Sequence, residues 1–305
     1  MSRGAGTIGT VAVLALCLAA CGAGARPAPP AAPPTAPAPI TTRAAPPTQP
    51  PTQPPPSQRP PTQPRSGASG GATAAPAWLG TRVLPTDPNG FGIATRTPPE
   101  LVDRRIATVD ELPPPADGAF HARLQRVPRE VAARSTWSPR CPVALTELRY
   151  VTVSFRGFDG RAHTGELMVH RDVADDVVGV FRRLFAVAYP IERMRITTVA
   201  ERDAPPTGDG NTTGAFNCRP AAGSTHWSEH AYGRAIDVDP FQNPYVRGRL
   251  VLPELALAYR DRDRVLPGVI TPGGPVVAAF RDVGWIWGGS WRTPKDYMHF
   301  SPTGR

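Results

Sequence analysis

The stretch YVTVSFRGFDGRAHTGELMVH, Tyr150 to His170, decides the fold class. Its first six residues alternate β-branched and aromatic side chains, a period of two that suits a strand. GELMVH (Gly165 to His170) answers it, and Asp159-Gly160 between them is turn chemistry that favours a hairpin. The period then changes. From Asp176 to Tyr189, residues Val177, Val180, Phe181, Leu184, Phe185 and Ala188 fall at helical spacing on one face, and Pro190 stops the run. MRITTV (Met194 to Val199) and AIDV (Ala235 to Val238) read as strands. Pro275 to Asp282 reads as a helix ended by Gly284, and Trp285-Ile286-Trp287 and Met298-His299-Phe300 read as closing strands. Strands that pair locally, with helices between the blocks, predict an α+β fold: a small antiparallel sheet with flanking helices.

Before this domain the composition shifts. Arg3 precedes a short apolar run from Ile8 to Ala20, the form of a signal peptide over residues 1–20. The run ends in Leu18-Ala19-Ala20-Cys21, which resembles a bacterial lipobox; that resemblance implies cleavage before Cys21, acylation of its thiol, and a membrane anchor. Residues 21–76 hold nearly half of the 40 prolines, with repeated PPTQP units and no apolar face. Such a composition cannot offset the entropy of ordering, so a disordered, extended tether is expected. Residues 77–118, Pro-rich with few apolar pairs, are expected to be a partly ordered approach segment, and 119–305 the single folded domain, working as a monomer. The chain is thus expected outside the cytoplasm, anchored to the membrane and facing the wall. The net charge of +9 is almost all arginine, Lys295 being the only lysine; it favours anionic wall polymers, and no nucleic-acid motif accompanies it. With Cys17 removed and Cys21 acylated, Cys141 and Cys218 remain, and in an oxidising compartment they are expected to pair.

The chemistry lies in SEHAYGRAIDVDP (Ser228 to Pro240) and DYMHF (Asp296 to Phe300). His230 and Asp237 lack the i, i+4 spacing of a helical metalloprotease pair. Instead Gly233 permits a bend after His230, and the short strand Ala235 to Val238 aims a carboxylate back at it. Asp237 and Asp239 share that face, so the strand alone does not choose between them. Imidazole, carboxylate and imidazole (His230, Asp237, His299) is a set zinc accepts, and three protein ligands leave a position open, the mark of a catalytic site. Asp296, three residues before His299, is then placed as the base. His226 reads as a solvated loop residue, and His121, His163 and His170 as surface or strand residues. Trp285, Trp287 and Trp291 read as core, and Asn243-Pro244-Tyr245 as a turn that lets Tyr245 reach a groove.

Ser228, His230, Gly233, Ala235 and Asp237 together match Ser-x-His-x-x-Gly-x-Ala-x-Asp, which resembles the zinc motif of the D-alanyl-D-alanine metallopeptidases. That family includes VanX- and VanY-type dipeptidases and carboxypeptidases and the L-alanyl-D-glutamate endopeptidases. The resemblance spans about Cys141 to Pro302. It implies zinc on His230, Asp237 and His299, thereby choosing Asp237 over Asp239, and Asp296 as general base. Aspartate at 296, with Trp287, Gly288, Gly289 and Trp291 upstream, is closer to the endopeptidase branch. The family's usual Ser-Gly-Tyr-Arg is missing. Arg219 in Phe216-Asn217-Cys218-Arg219, or Arg202 after Val199-Ala200-Glu201, stands in as the substrate-binding arginine, with Ser228 beside it. The expectation is a zinc endopeptidase acting on peptidoglycan peptide stems. The alternatives are a VanY-type D,D-carboxypeptidase, or a non-catalytic wall-binding lipoprotein, which would be expected to have lost the base or a ligand first.

Overall fold

The computed structural model describes residues 71–94, 96–221 and 224–305; the expected signal peptide, Cys21 and nearly all of the expected tether lie outside the described residues. In chain order the strands are β1 (Ala122–Arg126), β2 (Leu148–Arg156), β3 (Ala162–His170), β4 (Ile236–Asp237), β5 (Tyr245–Arg247), β6 (Leu250–Leu252), β7 (Ile286–Trp287), β8 (Lys295–Asp296) and β9 (His299–Ser301). The helices are α1 (Arg129–Arg134), α2 (Ala174–Ala186), α3 (Val199–Arg202) and α4 (Pro275–Arg281). The strands form three antiparallel sheets, ordered β1-β2-β3, β4-β9-β7 and β6-β5-β8. The fold is α+β, as expected, but with three small sheets in place of one.

The hairpin β2–β3 is the largest of these pairings, with Val151 opposite Leu167 and Tyr150 opposite Met168. One face carries Val151, Val153, Phe155, Leu167 and Val169 onto Val177, Val180, Phe181 and Leu184 of α2. The other carries Leu148, Tyr150 and Met168 against Val131, Ile196 and Phe216. Both faces are covered, so this sheet lacks the one solvated face that makes strand alternation clean.

Helix α2 ends at Ala186, three residues before the expected stop. Tyr189 N–H bonds the Leu184 carbonyl (3.0 Å), Ala188 N–H bonds that of Phe185 (3.1 Å), and Ala188 is left-handed at φ 52°. This is a Schellman cap made without glycine, and it turns Tyr189 back into the core. The expected strand over Met194 to Val199 does not form. Met194 makes one isolated bridge, to Thr213, and Thr198 then caps α3. Thr198 Oγ1 accepts from Glu201 N–H (3.2 Å) and Glu201 Oε2 accepts from Thr198 N–H (3.0 Å). A local capping box thus outcompetes strand propensity.

The approach segment also departs from expectation. Leu101 and Ile106 are buried with Phe241, Val251, Leu255 and Tyr259 in a core of their own. Arg104, only 2 % exposed, forks onto Glu192 (2.7 and 2.6 Å) and donates to the Asp209 carbonyl (2.8 Å). Residues 97–106 therefore belong to the folded domain. Its sequence looked poor in apolar pairs because a buried ion pair anchors it.

Cys141 and Cys218 form the expected disulfide, with Cα atoms 5.8 Å apart and a sequence separation of 77. In the chain-entropy account a loop of that length is worth about 4–5 kcal/mol. Cys218→Ser is expected to lower unfolding free energy by up to about that amount, measured by urea titration. The unreduced wild-type domain is expected to show no thiol at either position by mass spectrometry after alkylation.

Candidate active site and metal centre

Asp237 and His299 stand directly opposite one another on β4 and β9. Opposed residues in an antiparallel pair keep their Cβ atoms about 4.5–5.5 Å apart, so register alone brings these two side chains together. On its other edge Asp237 exchanges main-chain hydrogen bonds with Gly214 (2.9 and 3.0 Å). His230 arrives from the 3-10 turn Glu229–Tyr232, whose first residue is capped by Ser228: its Oγ accepts from His230 N–H at 3.3 Å. Gly233 closes that turn at φ 69°. A Cβ there would sit 2.8 Å from the His170 nitrogen, so glycine serves both the left-handed bend and the close approach to β3.

Three side chains converge. His230 Nε2 lies 3.2 Å from His299 Nδ1 and 3.2 Å from Asp237 Oδ2, and His299 Nδ1 lies 3.2 Å from Asp237 Oδ1. Tetrahedral zinc with bonds of about 2.0–2.1 Å spaces its ligands about 3.3 Å apart, so the triangle fits. The outer nitrogens settle the proton question. His230 Nδ1 is 2.6 Å from the Ala215 carbonyl, and His299 Nε2 is 2.7 Å from the main-chain oxygen of Arg305. Both oxygens only accept, so each neutral ring carries its proton outward and turns a lone pair inward. A metal cation between them would satisfy both lone pairs and the carboxylate at once, and no other group of at least three His, Cys, Asp or Glu among the described residues is arranged to hold one.

Burial works to raise the Asp237 carboxyl, but the charges and hydrogen bonds of His230 and His299 outweigh it and hold the group below the usual carboxylate range. Asp239, the competitor on the strand, is not in the site. It turns away at φ 42°, accepts from Glu192 N–H (3.1 Å), and burial pushes its carboxyl well above the usual range. Asp296 lies in the same cleft as the triad. Burial, with the Asp237 charge, raises its carboxyl to about 7, against the opposing pull of His299 and Arg219. Its Oδ1 is buried with no hydrogen-bond partner, an acceptor held in reserve beside the triad. A dication would lower that pKa and keep Asp296 ionised.

The cleft is about 920 Å³ and is lined by the triad, Asp296, Ser228, Arg219, Tyr245 and Trp291. Trp285 and Trp287 are core, whereas Trp291 borders His299, with ring centroids 5.6 Å apart. Arg219 is thus placed where its charge acts on Asp296, while Arg202 is not among the lining residues. It forks onto Asp203 (2.7 and 2.8 Å) and donates to the Cys218 carbonyl (3.4 Å). Sequence reasoning missed Arg193 and Arg195, which also line the cleft. Their signal was present: two arginines flanking buried Met194 at a spacing of two share one face of an extended segment. Glu111 and Glu201 hold Arg195 from either side. His226 is exposed, as expected, but His163 is buried between Asp110 (2.7 Å) and Asp159 (3.0 Å).

Residues 222–302 match the family model described as D-alanyl-D-alanine carboxypeptidase, which bears out the family resemblance over both motifs. The match does not separate the endopeptidase branch from the carboxypeptidases. No curated protein and no solved structure matches the chain.

Purified protein is expected to carry about one zinc per chain, and His230→Ala and His299→Ala each to lose it, read by metal analysis after dialysis. Gly233→Ala is expected to destabilise the domain by about 1–3 kcal/mol through the strained left-handed position, with further loss from the clash at His170.

Proposed function

We propose, from the family match over residues 222–302, that the protein is a zinc-dependent hydrolase of peptidoglycan peptide stems, cutting within the stem as an L-alanyl-D-glutamate endopeptidase does. The observation that carries it is the inward-facing triad of His230, Asp237 and His299 with the unpartnered Asp296 carboxylate beside it. A non-catalytic wall-binding protein would have no need to keep both the ligand set and the base.

In this reading His230, Asp237 and His299 hold the zinc, which supplies Lewis acidity and lowers the pKa of water. Asp296 takes a proton from the attacking water as the new carbon–oxygen bond forms, and returns it to the amine nitrogen as the carbon–nitrogen bond breaks. Arg219 faces Asp296 across the cleft and holds a substrate oxygen, with the Cys141–Cys218 bridge fixing the chain one residue before it. Ser228 acts through the cap that orients His230.

A D,D-carboxypeptidase is the second reading, favoured by the description of the matching family model and by a cleft that holds arginines able to receive a terminal carboxylate. The endopeptidase reading rests on aspartate at 296 and the Trp287-Gly288-Gly289 surroundings. The lipobox-like Cys21 and the disulfide support a site of action outside the cytoplasm, on a membrane anchor. Among the described residues no helix is long and apolar enough to cross a membrane.

Asp296→Asn is expected to retain zinc and fold while losing about 10²–10⁴-fold in hydrolysis of purified peptidoglycan. With a pentapeptide stem as substrate, mass spectrometry is expected to find an internal cut. Release of free D-alanine alone would establish the carboxypeptidase instead.

A further inference from the structure

We propose that Ser301 and the turn from Ser301 to Arg305 position His299 for metal binding. The inference rests on reading His299 as a ligand and adds residues that never touch the metal. For the neutral His299 ring to present a lone pair at Nδ1, its proton must be kept on Nε2. The acceptor that keeps it there is the main-chain oxygen of Arg305, 2.7 Å away.

That oxygen needs a reason to stay in place, because Arg305 is itself exposed. Ser301 supplies it. Its Oγ accepts from Arg305 N–H at 3.0 Å and donates to the same Arg305 oxygen at 2.9 Å. Ser301 is fully buried and sits in β9 opposite Ile286, so the clamp is built on the strand that carries His299. Gly304 shapes the return. It is left-handed at φ 68°, its N–H reaches the Ser301 carbonyl at 3.4 Å, and a Cβ there would meet Ile286 at 2.9 Å.

The two histidines differ in this respect. The acceptor for His230 is the carbonyl of Ala215, a buried residue next to Gly214, whose main chain is bonded to Asp237. It needs no separate device. The acceptor for His299 comes from a surface turn where water competes, and the two Ser301 hydrogen bonds restrict that competition. An outer partner of this kind typically changes metal affinity by about 10–100-fold.

The test uses the full chain and measures zinc affinity by competition with a chromophoric chelator, together with the visible absorption of the cobalt(II)-substituted protein. Ser301→Ala and Gly304→Ala are each expected to weaken zinc binding by about tenfold or more and to change the cobalt spectrum. Thr303→Ala, at an exposed position of the same turn, is expected to change neither. Gly304 is only half-buried, so its variant carries the test should Ser301→Ala fail to fold. Affinities within about twofold of wild type in the folded variants, with an unaltered cobalt spectrum, overturn the proposal. Wild-type protein that takes up no zinc overturns the metal reading itself, a different failure from wild-type binding that the variants share.

Discussion

Two imidazoles and a carboxylate meet at 3.2 Å, and several segments of the fold combine to hold that arrangement. No single element does it. The β4–β9 register sets Asp237 against His299, a capped 3-10 turn brings His230, and two main-chain oxygens force the ring protons outward. Packing fixes the contributing segments from behind. Phe300, beside His299 in sequence, is fully buried and stacks on Phe280 of α4 at 4.0 Å. Gly233 lies against β3 with no room for a side chain.

A second constraint places Asp296. Asp296 sits on β8, which belongs to a different sheet from His299 only three residues on, and faces Tyr245 of β5. The connection back to β4 runs through Asn243, whose amide donates to the carbonyls of Val238, Asp239 and Gly268 and accepts from Ile270 N–H. Gly288 lets the β8 backbone pass, since a Cβ there would meet the Asp296 carbonyl at 2.6 Å. His299 and Asp296 are thus positioned by two different sheets, joined through Asn243, the link 297–298 and the close approach of Gly288 to Asp296. Beneath them lies the Arg104–Glu192 pair, joined by the Asn211 amide at 2.8 Å. Removing one partner of so buried a pair leaves an uncompensated charge, at a cost of about 3–5 kcal/mol.

The sequence carried the site better than the fold. His230, Gly233, Asp237, Asp296 and His299 were legible because metal chemistry and a left-handed turn demand particular residue types at fixed spacings. The hairpin was legible because β2 and β3 pair across a turn with a chemical signature. What escaped depended on contacts between distant segments. Arg104 finds its partner 88 residues later, and the approach segment gave no sign of it. Ala188 ends α2 in a conformation usually left to glycine, so the stop could not be read. Thr198 and Glu201 did spell a capping box, and there strand propensity was weighed where capping decided. Asp239 shows the limit most clearly: it shares a strand face with Asp237 on paper, yet its positive φ turns it into the core.

The same pair of aspartates explains how one short strand serves both chemistry and stability. The charges and hydrogen bonds of His230 and His299 hold the Asp237 carboxyl below the usual range; Asp239, two residues on and fully buried, has a carboxyl pushed well above it with no imidazole opposite. Burial acts on both, and the sign of the outcome follows from what stands across from each. Asp296 lies between these extremes, with burial and the Asp237 charge raising it while Arg219 and His299 draw it down. That balance comes from position rather than from residue type. Because Cys218 precedes Arg219, the disulfide that stabilises the domain also anchors the chain beside the cation whose charge acts on Asp296.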